Sequence, residues 1–162
     1  MDLTATGTSD WAKWPNYIHK ASGGSQIPNF TQIGTVTPQT YNNDTRPISW
    51  SDGTPTATGT NDISGVYIGG IGNGFRIAAP ADTATRTLYV YVAGWASGGK
   101  LTAHLSDGSA VDYVDTSFSS TGFYRPVYTL TYRAASAGQQ LVVQWTQTSG
   151  TGNIKLQAAA MR

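Results

Sequence analysis

From Phe75 to the C-terminus, apolar and polar residues alternate with period two, and no apolar stripe recurs at the 3.6-residue spacing of a helix. That pattern predicts strands bounded by Gly, Pro, Asn and Asp turns. Phe75, Ile77 and Ala79 alternate with Arg76 and Ala78, and Pro80 is expected to end the run because it cannot donate to a sheet ladder. From Thr87 to Ala93, Leu88, Val90 and Val92 share one face and Tyr89 and Tyr91 the other. The aliphatic set is expected inside, leaving the two tyrosines facing outward. Leu101, Ala103 and Leu105 then alternate with Lys100, Thr102 and His104, and the intervening Gly98-Gly99 makes the two runs read as an antiparallel hairpin. Further on, Tyr128, Leu130 and Tyr132 share a phase, as do Leu141, Val143 and Trp145. The closing run is expected to bury Ile154, Leu156, Ala158 and Ala160 and to show Asn153, Lys155 and Gln157 to solvent.

The N-terminal third is less regular, with short strands expected around residues 30–36, 48–50 and 66–68. Together these give about eight strands, predicting an all-β fold: a two-sheet antiparallel β-sandwich of the jelly-roll kind. Composition agrees, since a third of the chain is Gly, Thr or Ser and all nine acidic residues are aspartates, a mixture that starves helices. Without cysteine there are no disulfides, thiolate nucleophiles or Cys-based metal sites. A net charge of +1 gives no electrostatic ground for a nucleic-acid partner. The start lacks a basic and apolar leader, and no apolar stretch reaches the ~20 residues of a membrane span. Residues 1–162 are therefore expected to be one monomeric module excised from a larger secreted or cell-surface protein.

Gly74-Phe75-Arg76-Ile77-Ala78-Ala79-Pro80-Ala81-Asp82-Thr83, Arg86-Thr87-Leu88-Tyr89-Val90-Tyr91-Val92 and Leu105-Ser106-Asp107-Gly108-Ser109-Ala110 resemble bacterial secreted jelly-roll modules of the galactose-binding-like type. The resemblance covers about residues 65–160. The opening Asp10-Trp11 and Trp14 are similar to modules appended to glycan-active enzymes and surface proteins. The resemblance implies a carbohydrate-binding accessory module, and it makes a structural calcium ion compatible with Asp107, Asp10 or Asp52.

Catalytic chemistry has little to work with. His19 and His104 lie far apart, there is no Glu or Cys, and the acidic cluster Asp107, Asp112 and Asp115 begins in the turn sequence Ser106-Asp107-Gly108-Ser109. A non-enzyme is expected. Gly69-Gly70-Ile71-Gly72-Asn73-Gly74 is followed by no Lys-Ser/Thr pair and precedes a strand, so it is no phosphate loop.

Five Trp and nine Tyr supply flat amphipathic rings on which sugars dock. Phase assigns Trp145, Tyr128 and Tyr132 to the core. Tyr89 and Tyr91, with Thr102 and His104 across the expected hairpin and Trp95 and Lys100 near its end, form one candidate platform. A second is the loop pair Trp11 and Trp14, with Lys13, Lys20 and Tyr41-Asn42-Asn43-Asp44. The reading is a non-catalytic polysaccharide-binding module that targets its parent. The alternative is a structural or adhesion module whose aromatics are core and interdomain packing.

Overall fold

Alternation in the C-terminal half does produce strands, but two of them run far beyond the apolar stretches that announce them. In the computed structural model, which describes residues 1–162, the chain opens with one helical turn, α1 (Leu3–Thr6). Seven short strands follow: β1 (Asp10–Lys13), β2 (Ile18–Lys20), β3 (Thr31–Ile33), β4 (Gln39–Tyr41), β5 (Ile48–Trp50), β6 (Gly53–Thr54) and β7 (Gly59–Asp62). The rest is β8 (Gly65–Gly69), β9 (Gly74–Ala81), β10 (Arg86–Leu105), β11 (Tyr113–Asp115), β12 (Ser119–Tyr124), β13 (Val127–Tyr132) and β14 (Gln139–Met161).

Strands β10 and β14 pair antiparallel from Leu88↔Met161 to Leu105↔Leu141, with register shifts at Tyr91/Val92, Trp95/Ser97 and Gly98/Gly99. Bulges bend a strand and increase its twist, so the two ends of this ribbon serve two layers. Near Leu88–Tyr91 the ribbon is flanked by β13 and β1, with β8 joining at Asn153–Leu156. At the other end it is flanked by β11 and by β9, which carries β3. Leu88, Val90, Val92, Ile154 and Leu156 from the first layer meet Leu101, Leu141, Val143, Trp145, Phe75 and Ile77 from the second in one buried cluster. The fold is all-β and antiparallel, two layers around one core, as the alternation predicts.

Three local expectations need correcting. Gly98-Gly99 makes no turn: both glycines lie inside β10, paired to Ser149 and Gln147. A Cβ on Gly99 would overlap the Trp145 indole, so the missing side chain serves close packing rather than chain reversal. Pro80 does not end its strand. β3 pairs only with Gly74–Arg76, leaving the rest of β9 as an edge where a missing N–H is tolerated. In β14 the alternation flips at the bulge opposite Tyr91/Val92, so Ala158 and Ala160, buried as expected, face away from the main core that Ala159 and Met161 continue, while Gln157, expected in solvent, is buried with its amide donating to the Arg46 carbonyl (2.9 Å).

That other face is covered. Leu3, Trp11, Ile18, Ile48 and Trp50 from the N-terminal segment pack on Tyr91, Ala158 and Ala160 in a second buried cluster. Wholly buried Lys13 ties this layer down: its ammonium donates to the carbonyls of Trp14 and Ser64 and lies 3.1 Å from Asp62 Oδ1. The N-terminal layer ends short of Trp95, which leaves part of the sheet's outer face open.

Candidate functional site

On that open face, register places outward side chains from five adjacent strands. Phe123 on β12 pairs with Trp95 on β10, which pairs with Asn153 on β14 and, beyond it, Gly69 on β8. One row along, Ala93 pairs with Lys155, Lys155 with Tyr67, and Tyr67 with Gln39 on β4, whose Tyr41 lies on the same face. Ala93 and Gly69 contribute almost no side chain, so larger neighbours stand around a floor. With strands about 4.8 Å apart, the five span roughly 19 Å. Tyr41, Asn43, Thr45, Tyr67, Trp95, Phe123, Asn153 and Lys155 line a cleft of about 460 Å³ here.

Trp95 is 52% exposed and Phe123 39% exposed, side by side on the sheet. A bulge aims the tryptophan outward: Ala96 sits at φ 45°, a left-handed conformation that costs a non-glycine residue energy, and Gly150 faces it at φ 79°. Buried Ser97 fixes the bulge by donating to the Asn153 carbonyl (2.8 Å) and lying 3.2 Å from the Tyr124 hydroxyl. Backbone strain held by a buried hydroxyl under an exposed indole is the mark of a positioned side chain.

The wall is the loop after β4. Asp44 accepts from the Arg46 amide (2.9 Å) and the Tyr41 hydroxyl (3.2 Å). Arg46 donates to the Arg125 carbonyl (2.6 Å), and Arg125 donates to the Thr45 hydroxyl. The loop is thus stapled to the β12–β13 turn, and the cleft is preformed. The Lys155 ammonium lies 4.5 Å from the Tyr41 ring centroid and 5.0 Å from that of Phe123. Burial lowers its pKa, with Asp44 pulling partly the other way. Burial raises the Tyr41 phenol well above its ordinary value.

The residues singled out in the sequence are dispersed by the structure. Trp95 reaches the cleft. Tyr91, 5% exposed, lies under the N-terminal layer with partly buried Tyr89 packed beside it. Lys100, Thr102 and His104 stand beyond the bend on the outer face of the second layer, because β10 is one strand and not a hairpin. Trp11 and Trp14 are fully buried rather than at loop tips, their indoles donating to Asp52 Oδ1 (3.0 Å) and Asn29 Oδ1 (2.7 Å). Of the second candidate group, only Tyr41 and Asn43 line the cleft. Phe123, Tyr67, Asn153 and Lys155 went unassigned to any site; the outward phase of Asn153 and Lys155 was the available signal.

The aspartates named for calcium are engaged by protein donors. Asp10 accepts from the Trp11 and Ile27 amides, Asp52 from Thr4, the Trp11 indole and Lys20, and Asp107 from Ser109 and Ala135. No three His or Asp side chains gather into a metal-binding group. A larger cavity, about 850 Å³, opens between the edge strands β11 and β13. It is the mouth of the core, walled by Ala103, Leu105, Leu130 and Leu141, and its Asp115 already accepts from Ser117 and Tyr128. At the smaller cleft Asn43 and Asn153 stand beside the exposed rings of Trp95 and Phe123, an arrangement that suits a sugar.

No protein-family model matches the sequence, and no characterised protein matches it by sequence. Solved structures do share its shape. The CBM22-1 xylan-binding domain from Paenibacillus barcinonensis Xyn10C superposes with a TM-score of 0.50 at 12% identity, over 94% of this chain and 91% of that one. TmCBM61, solved with beta-1,4-galactotriose, gives 0.49 at 8% identity, over 83% and 88%. The enzymatically active domain of Bacteriophage CBA120 tailspike protein 4 gives 0.49 at 11% identity, over 85% of this chain but 20% of that one, so this chain spans a fifth of it. At such identities the likeness to the xylan-binding domain establishes a shared fold.

Proposed function

We propose that this chain is a non-catalytic carbohydrate-binding module that seats a polysaccharide on the Trp95–Phe123 platform and thereby targets a parent enzyme or surface protein, secreted or at the cell surface. The observation that carries it is Trp95: a large apolar ring held out into solvent by a strained, hydroxyl-pinned bulge, above a preformed cleft. Sugar C–H faces stack on such rings, while the Asn43, Asn153 and Thr45 side chains around the cleft offer partners to hydroxyls. A fold shared with a xylan-binding domain supports the same reading.

The non-catalytic part rests on the carboxylates. Asp44, the one next to the cleft, is buried with both oxygens bonded, and no acid stands across the platform to make a glycosidase pair.

Trp11, Trp14, Trp50 and Trp145 are all buried, so intrinsic fluorescence changes on binding report Trp95. Titration with a panel of soluble polysaccharides is expected to give a saturable blue shift with at least one; by affinity electrophoresis, which needs no tryptophan reporter, Trp95→Ala binds that polymer about tenfold or more weakly while its far-UV circular dichroism stays native. Silence across the panel, or equal binding by wild type and Trp95→Ala, would overturn the proposal.

A further inference from the structure

The charges around the cleft are unbalanced. Three cations, Lys155, Arg46 and Arg125, surround a single carboxylate, Asp44. The neighbouring Lys13 and Asp62 neutralise one another. The two arginines are occupied, Arg46 on the carbonyls of Arg125 and Pro126 and Arg125 on the Thr45 hydroxyl. Lys155 is not. Lys13 rests on carbonyls and Asp62, and Lys20 on Asp52, whereas Lys100, on the second layer away from the cleft, is like Lys155 in making neither an ion pair nor a hydrogen bond to protein. Lys155 makes no ion pair within 4 Å and no hydrogen bond to a protein acceptor, and its ammonium is held only by the faces of Tyr41 and Phe123. It is half-buried in the cleft wall, where the ammonium keeps only part of its hydration and has ring faces but no anion or hydrogen-bond acceptor in its place.

A neutral sugar offers that ammonium only hydroxyls, whereas an anion restores what burial removes. The position is suitable. Lys155 and Asn153 are alternate residues of β14, Asn153 faces Trp95, and the cation lies against Phe123, the partner of Trp95 across the sheet. A pyranose stacked on the Trp95–Phe123 pair therefore brings a ring substituent over the ammonium. We propose that the polysaccharide is acidic, its uronic-acid carboxylate docking on Lys155 while the ring lies against Trp95 and Phe123. This rests on the binding reading above and names the class of glycan within it.

The test pairs each acidic polymer with its own neutral form. Polygalacturonate and glucuronoxylan are titrated beside their carboxyl-reduced counterparts, in which the carboxylate has become a hydroxymethyl group and the backbone is unchanged. A sulfated galactan is included. The expected result is that at least one uronate polymer binds about ten- to a hundredfold more tightly than its reduced form, and that the advantage shrinks as salt is raised. Lys155→Met, which keeps the aliphatic stem over the rings, removes the advantage; Arg133→Gln, a charge lost elsewhere on the surface, keeps it. Equal affinity for the acidic and reduced polymers, or an advantage that survives Lys155→Met, overturns the acidic-glycan inference. Preference for the sulfated galactan over every uronate polymer overturns the carboxylate assignment. Trp95→Ala separates this from the underlying proposal: if it abolishes binding of acidic and reduced polymers alike, the platform stands whatever the outcome at Lys155. If no polymer binds, both readings fail.

Discussion

Trp95 and Tyr91 stand four residues apart on one strand and on the same face, yet one is a candidate ligand platform and the other is core. What separates them is cover. Trp11, Ile48 and Trp50 close over Tyr91, and the N-terminal layer ends before Trp95. A Tyr91→Ala variant, which the sequence would nominate as a binding mutant with an intact fold, is therefore expected to lose about 3 kcal/mol of stability. Urea unfolding measures this, and a loss below about 1 kcal/mol would show that the ring packs nothing of consequence. Trp145, in phase with Leu141 and Val143 and buried as that phase predicts, should cost about 3–5 kcal/mol as Trp145→Ala. Phase was legible in the sequence because strand geometry is local. Cover was not, because it depends on where N-terminal residues far upstream, from Trp11 to Trp50, come to rest.

At the scale of elements, the β10–β14 ribbon makes both the sandwich and the site. Its bend joins the two layers, and the bulge that creates the bend also aims Trp95. The sequence marks the place with Gly94, Gly98, Gly99, Gly150 and Gly152, but a glycine pair signals a tight turn and a close approach equally well. That ambiguity is why a hairpin was expected where one strand runs through. Gly152 tests the element. A Cβ there would overlap the backbone carbonyl of Trp95, which cannot move aside as a flexible side-chain tip could. Gly152→Ala should cost about 1–3 kcal/mol and, unlike a simple core variant, should also weaken glycan binding in the fraction that remains folded. Wild-type affinity in folded Gly152→Ala would mean that the bulge does not position Trp95.

Across the whole molecule, nine aspartates and no glutamate look at first like a compositional accident. The structure gives a reason. Asp44, Asp62, Asp82, Asp107 and Asp115 each accept from the amide two residues on, a loop-closing contact that suits the short Asp side chain. Asp52 bonds Thr4, the Trp11 indole and Lys20, so with Asp62 on Lys13 it anchors the N-terminal layer to the sandwich. Burial alone would raise the carboxyls of Asp52 and Asp62. Lys20, Thr4 and the indole at the first, and Ser64 and Lys13 at the second, outweigh it and hold both below the ordinary value. Asp82, Asp107 and Asp115 are lowered too, chiefly by Arg86, Ser109 and the Ser117 amide respectively. A carboxyl lowered by folding binds its proton more readily in the unfolded chain, so its contribution is complete above the ordinary pKa of about 3.9 and is lost as pH falls below it. Asp10 acts oppositely: burial raises it, so the folded chain takes its proton first and gains stability on the way down. With five groups against one, the urea midpoint should hold or rise slightly from about pH 7 to 5 and then fall steeply below about pH 4. A double variant, Asp52→Asn with Asp62→Asn, should be less stable at neutral pH and lose less on acidification, since two of the titrating anchors are gone. A midpoint that stays level down to about pH 2.5 would mean these aspartates close loops without holding the N-terminal layer in place.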